Sequence, residues 1–161
     1  LRNSAARELF TNPAKTLAER LTGRDVALAA DSAAMLALAQ HGAAVLLRVA
    51  RQVVAAVGLA DALAAVSPLN IAPVDYETAL FHDEEFDGPL PSRVRTVVLT
   101  SDERRPAVVT RTEGFADLDV VSADDVPDAG TVIGGVRLEQ QLATLAVRLE
   151  MTAVYLRLVR G

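Results

Sequence analysis

The chain has no cysteine, a single lysine (Lys15) and only two histidines, His41 and His82. Without cysteine there is neither a disulfide framework nor a thiolate metal site, which suits a cytoplasmic location. Spanning a bilayer takes roughly 18 or more consecutive apolar residues. The longest apolar stretch here, 33–47, is interrupted by Gln40 and His41 and is mostly alanine, so no membrane segment is expected. The opening Leu1-Arg2-Asn3-Ser4 has no apolar signal core. It also lacks an initiating methionine, which suggests a part of a longer protein. A net charge of −5 leaves no electrostatic footprint for nucleic acid. Neither a Ser–His–Asp grouping nor a Walker-type phosphate loop is present. The near-absence of lysine beside many arginines and alanines reads as codon bias, not as function.

The 161 residues are 51% apolar, which excludes a disordered chain. That length suits one domain burying about two-thirds of its unfolded surface. Asn12-Pro13 is a helix start, with Asn as N-cap and Pro in the first turn, and Gly23 is a stop for the helix 14–21. Residues 25–30 read as a buried strand, and Asp31-Ser32 as the cap of the next helix. From 33 to 57 the apolar residues Met35, Leu38, Val45, Leu46, Val49 and Val53 recur at helical steps, with a break expected at Gly42. His41 then falls at the end of the first piece, where the helix dipole favours a cation. A short helix is expected over 59–66, strands over 93–100, 107–110 and 118–122, and a long amphipathic helix over 136–159. The Gly130 to Gly135 turn leads into that helix. Strands separated by helices predict an α/β domain with a mainly parallel sheet. The domain is expected to cover 1–161, with residues 1–22 as an N-terminal helical arm that packs on a partner.

One acidic loop stands apart: His82-Asp83-Glu84-Glu85-Phe86-Asp87-Gly88, followed by Pro89 and Pro91. For proton transfer near neutral pH, His82 is the best-placed side chain. Asp83, Glu84, Glu85 and Asp87 are oxygen donors of the kind Mg²⁺ or Ca²⁺ takes, but their spacing fits no calcium loop, and a solvated acidic turn is expected with no metal. Glu84 is a candidate to orient His82 or to cap a helix. Tyr76 and Phe81 read as packing anchors. The arginines Arg93, Arg95, Arg104, Arg105 and Arg111 are candidates for a phosphate or partner site, although Arg104-Arg105, between Asp102-Glu103 and Pro106, read first as makers of surface ion pairs in a loop. No Ser-Gly-x-Thr turn or Ser/Thr cluster of the kind that holds a phosphate is present; the nearest candidates are three strand-to-helix ends, Asp31-Ser32, Thr100-Ser101 and the Gly130 to Gly135 turn.

Several of these residues together resemble the C-terminal half of the bifunctional phosphoglucose/phosphomannose isomerases, proteins built from two sugar-isomerase (SIS) domains. Asn12-Pro13-Ala14-Lys15 resembles an N-x-A-K motif, continued by Leu17, Ala18, Leu21 and Gly23-Arg24. Arg48 and Gln52 match an arginine and a glutamine on a long helix, and His82-x-Glu84 matches a loop H-N-E-I-x-G. The resemblance implies a flavodoxin-like three-layer αβα SIS domain, preceded in the same protein by an upstream SIS domain and forming a homodimer through its helices. It implies a sugar phosphate as ligand and interconversion of glucose or mannose 6-phosphate with fructose 6-phosphate through an enediol, which needs no cofactor. His82 would then help open the sugar ring, with Glu84 as a second catalytic candidate and Arg48 and Ser32 as ligand contacts. The family's carboxylate base sits three positions after the helix glutamine, which here is Ala55, and the family's lysine near the C-terminus has no counterpart. Two further readings therefore stand beside an isomerase: a non-catalytic sugar-phosphate-binding or dimerisation module that has lost the base, and an unrelated flavodoxin-like partner-binding domain.

Overall fold

A computed structural model of the chain describes residues 12–66, 94–115, 117–123 and 137–160. The order of elements is α1 (Pro13–Leu21), β1 (Val26–Ala30), α2 (Ala33–Val45) running into a π turn (Leu46–Ala50), β2 (Val54–Gly58) and α3 (Leu59–Ala65). Then come β3 (Arg95–Leu99), α4 (Arg105–Thr112), β4 (Leu118–Val121) and α5 (Leu138–Arg160). The four strands form one sheet in the order β2-β1-β3-β4, and every neighbouring pair is parallel. Parallel strands need a crossover between them, and right-handed crossovers running in opposite directions across a sheet lie on opposite faces. Helix α2 links β1 to β2 in one direction and α4 links β3 to β4 in the other. Accordingly α1, α2 and α5 share a core with Leu28, Val97 and Leu99 on one face of the sheet. Helices α3 and α4 pack on Ala29 and Val98 on the other. This is the three-layer αβα domain expected from the sequence.

Local signals set most of the boundaries. The Asn12 side chain caps α1 by accepting from the backbone N–H of Ala14 and Lys15, with Pro13 in the first turn. Gly23, at φ 70°, takes the left-handed turn beyond its end. Ser32 caps α2 by accepting from Met35 N–H at 3.3 Å. Helix α1 lies on the chain's own α5. Its Ala14, Leu17, Ala18 and Leu21 are buried, Asn12 Nδ2 donates to Tyr155 Oη at 3.1 Å, and Thr152 Oγ1 donates to the Ala14 carbonyl at 3.3 Å.

Three expectations are corrected. First, the helical pattern over 33–57 ends early. Arg51 adopts a left-handed conformation (φ 54°, ψ 33°) after the π turn, and Val54-Ala55-Ala56-Val57 enters the sheet beside β1, with Ala55 opposite Ala27. Alanine fits either period, and the flanking valines favour the pleated surface. Second, Gly42 does not break α2. A Cβ there would stand 2.8 Å from Leu149 Cδ1 and 3.0 Å from Leu28 Cδ1, so the missing side chain lets α5 and the sheet close on the helix. His41, therefore, is not at a helix end: its Nε2 lies 3.3 Å from Glu150 Oε1 on α5, and both side chains are exposed. Third, residues 107–110 belong to helix α4, not to a strand. Pro106 sits in its first turn, and Val108 and Thr112, one helical turn apart, form its buried side.

Residues 33–50 are long and apolar enough, by length and composition alone, to cross a membrane. Here Met35, Leu38, Ala39, Val45, Leu46 and Ala50 are buried in the core shared with the sheet and α5, which is the packing of a core helix.

Candidate functional site

The chain goes from β1 outward to β2, then returns past β1 to β3 and on to β4. The order therefore reverses between β1 and β3, and in open α/β sheets ligands bind in the crevice at the carboxyl ends of the strands at such a point. The residues there are those that follow each strand directly: Asp31 and Ser32 after β1, Thr100 and Ser101 after β3, and Ser122 after β4. The structure thus brings together two of the three strand-to-helix ends singled out in the sequence, Asp31-Ser32 and Thr100-Ser101. The third, Gly130 to Gly135, lies outside the described residues.

Asp31 is the centre of this cluster. Its Oδ2 accepts from Thr100 Oγ1 at 2.9 Å and from Arg104 Nε at 2.9 Å, so the carboxylate bridges the gap between the two strands. Arg104 Nη2 also donates to the Asp31 carbonyl at 3.2 Å. The Asp31 side chain is 2% exposed and that of Arg104 55%. Asp31 Oδ1, in contrast, is buried with no hydrogen-bond partner among the described residues. Leaving a buried polar atom unsatisfied costs about 1–3 kcal/mol, and more for a charged group. Most buried polar atoms are paired, so this exception marks a place where something else is expected to bind.

The rim is built from neighbouring elements. Ser32 Oγ accepts from the α2 N-terminus and keeps its own proton to donate. The first turn of α2 presents N–H groups and the positive end of the helix dipole. Arg105 Nη1 donates to Ser122 Oγ at 3.4 Å, and Gln141 Oε1 on α5 accepts from Asp102 N–H at 3.0 Å. The arrangement can hold an anion near Ser32 and the guanidinium of Arg104, and a hydrogen-bond donor at Asp31. Among the described residues no group of three or more His, Asp or Glu side chains could hold a metal ion.

The other candidates fall elsewhere. His82 and Glu84 lie outside the described residues, as do Tyr76, Phe81 and Arg93. Arg48 sits on the π turn at the far end of α2, about 24 Å from Ser32 by helical rise, with Nε donating to the Ala44 carbonyl at 3.4 Å. The structure does not bring these two together. Gln52 is not on a helix: its Nε2 donates to the carbonyls of Leu21 (3.4 Å) and Arg24 (3.1 Å), tying the start of β2 to the α1–β1 turn. Ala55 is an exposed residue of β2. Arg48, Gln52 and Ala55 therefore share no helix, and the position of a helical base cannot be carried onto Ala55. Arg104 is not one of a set of local surface pairs, because its partner is the buried Asp31 (2.9 Å). The sequence held a signal for this: both residues directly follow parallel strands or open the next helix, and such positions gather at one edge.

No protein-family profile matches the chain, and no curated protein sequence does. Solved structures do match. One is a glucose-6-phosphate isomerase-like protein from Thermus thermophilus, with a TM-score of 0.62 and 22% identity over 99% of this chain. The match covers 48% of that protein, so this chain spans about half its length. At that identity the likeness establishes the fold: the chain has the fold of a phosphoglucose isomerase-like protein.

Proposed function

We propose that the chain is a phosphosugar-handling domain of isomerase type, part of a larger two-domain protein whose other SIS domain lies upstream. The observation that carries this reading is the likeness, over nearly the whole chain, to a glucose-6-phosphate isomerase-like protein. The polar cluster at the β1–β3 carboxyl edge supports it, because it offers an anion site next to a carboxylate, which suits a ligand with a phosphate and hydroxyls. On this reading the substrate is an aldose or ketose 6-phosphate. His82 carries the ring-opening proton, Glu84 assists it, and the enediol step proceeds without a cofactor. A homodimer in the cytoplasm is the expected setting.

The second reading is a binding module without turnover. It is favoured by the separation of Arg48, Gln52 and Ala55 from any common helix, which removes the sequence argument for a base-bearing helix in this half. One experiment tests both. The full-length protein is assayed for interconversion of fructose 6-phosphate with glucose or mannose 6-phosphate, alongside calorimetric titration of the same sugars. Turnover lost in His82→Ala establishes the isomerase; binding without turnover establishes the module. Absence of both overturns the phosphosugar assignment.

A further inference from the structure

We infer that Asp31 is the residue that reads a ligand hydroxyl at this site, its free Oδ1 accepting a hydrogen bond from a hydroxyl of a polyol phosphate whose phosphate lies toward Ser32 and Arg104. The inference rests on the phosphosugar reading above and adds to it a specificity-determining residue in the β1–β3 crevice.

The geometry leaves Asp31 few structural duties. Capping of α2 belongs to Ser32, whose Oγ takes the Met35 N–H, so the Asp31 carboxylate is not needed there. Both of its protein contacts converge on Oδ2, which fixes the plane of the group and leaves Oδ1 buried without a donor. An ionised carboxylate is an acceptor only, so whatever completes it must bring an N–H or O–H. The cationic role is already filled by Arg104, and a neutral hydroxyl fits beside that ion pair without adding charge.

Arg104 is the exposed part of the cluster, its side chain 55% exposed while Asp31 is 2% exposed, so a ligand approaches the carboxylate past the guanidinium. A phosphate near the α2 N-terminus gives that planar guanidinium a two-point partner. Thr100 then holds Asp31 in place while the hydroxyl docks on Oδ1. A carboxylate beside an anion would repel inorganic phosphate bound alone; the hydroxyl is what makes the pair compatible.

The test uses calorimetric titration of the full-length protein with glucose 6-phosphate, its series of mono-deoxy analogues, and inorganic phosphate, against wild type and Asp31→Asn. With Thr100 and Arg104 both donating to Oδ2, the asparagine turns its amide nitrogen to the Oδ1 position and presents a donor where an acceptor is required. The expected result is about ten-fold or greater weakening of glucose 6-phosphate by the substitution, with inorganic phosphate binding unchanged or strengthened. One deoxy analogue should lose a similar factor on the wild-type protein and nothing further on Asp31→Asn. Equal affinity of wild type and variant for glucose 6-phosphate overturns the role of Asp31 while leaving the phosphosugar reading intact. A wild-type deoxy series in which no member weakens does the same, and needs no variant to fold. No binding of any sugar phosphate to wild type overturns both.

Discussion

At the amino edge of the sheet, Arg20, Arg24 and Arg95 meet Asp117 and Asp119. At the carboxyl edge, Arg104 and Thr100 meet Asp31. The first set is closed. Arg95 donates through Nε and Nη2 to Asp119 Oδ2 at 2.9 and 2.6 Å and through Nη1 to Asp117 Oδ1 at 3.3 Å. Arg20 pairs with the other oxygen of Asp119, and Arg24 with Asp117. The second set is open, with a buried carboxylate oxygen that meets no donor among the described residues. Charged residues at the two edges are alike in kind, and their completeness separates them. Where every charge has a partner within the chain, the network serves the fold. An uncommitted acceptor held rigid at a topological switch point is suited to a ligand.

That comparison can be broken experimentally, and the reference for size is the core that joins the two edges. Leu149 is buried against Gly42 and the sheet, so Leu149→Ala should cost about 2–5 kcal/mol in urea unfolding. A cost below about 1 kcal/mol would show that α5 does not close the core as described. Next comes the closed network: Asp119→Ala leaves the half-buried Arg95 with one weaker partner and should cost about 1–3 kcal/mol. The open cluster should differ in kind. Asp31→Asn without ligand should change stability by less than about 1 kcal/mol, since the Thr100 bond survives and the lost ion pair involves an exposed arginine. If Asp31→Asn proves more costly than Asp119→Ala, the distinction between the edges fails. Smallest is Arg24→Ala, which removes a 3.4 Å pair between side chains 47% and 25% exposed and should stay within about 0–1 kcal/mol.

Much of the fold is legible in the sequence because its signals are local. Asn12-Pro13, Ser32 and Gly23 mark ends by side-chain and backbone chemistry that depends on a few neighbours. The errors fall where local chemistry is ambiguous and tertiary position decides. Val108-Val109-Thr110 has the composition of a strand, yet a helix is needed there to carry the chain from β3 to a parallel β4. The valines of β2 continue a helical period by coincidence through an alanine-rich stretch, and only pairing with β1 separates them from α2. Gly42 looks like a breaker in sequence, whereas its function is close approach. The site is half legible for the same reason. Asp31-Ser32 and Thr100-Ser101 are recognisable as strand-to-helix ends, but their meeting depends on β1 and β3 being neighbours. Arg104 looks like a solvated loop residue because its partner comes from a distant part of the sequence.

The Thr100–Asp31 hydrogen bond joins residues 69 positions apart, and this has a kinetic consequence. The β1–α2–β2 unit closes a short segment and can pair early, whereas bringing β3 beside β1 requires closure of a much longer loop. By loop length the crevice thus forms after the β1–α2–β2 unit. A refolding experiment that follows ligand capture should lag behind one that follows helix content. A protein interrupted before that closure would hold most of its secondary structure and none of its site.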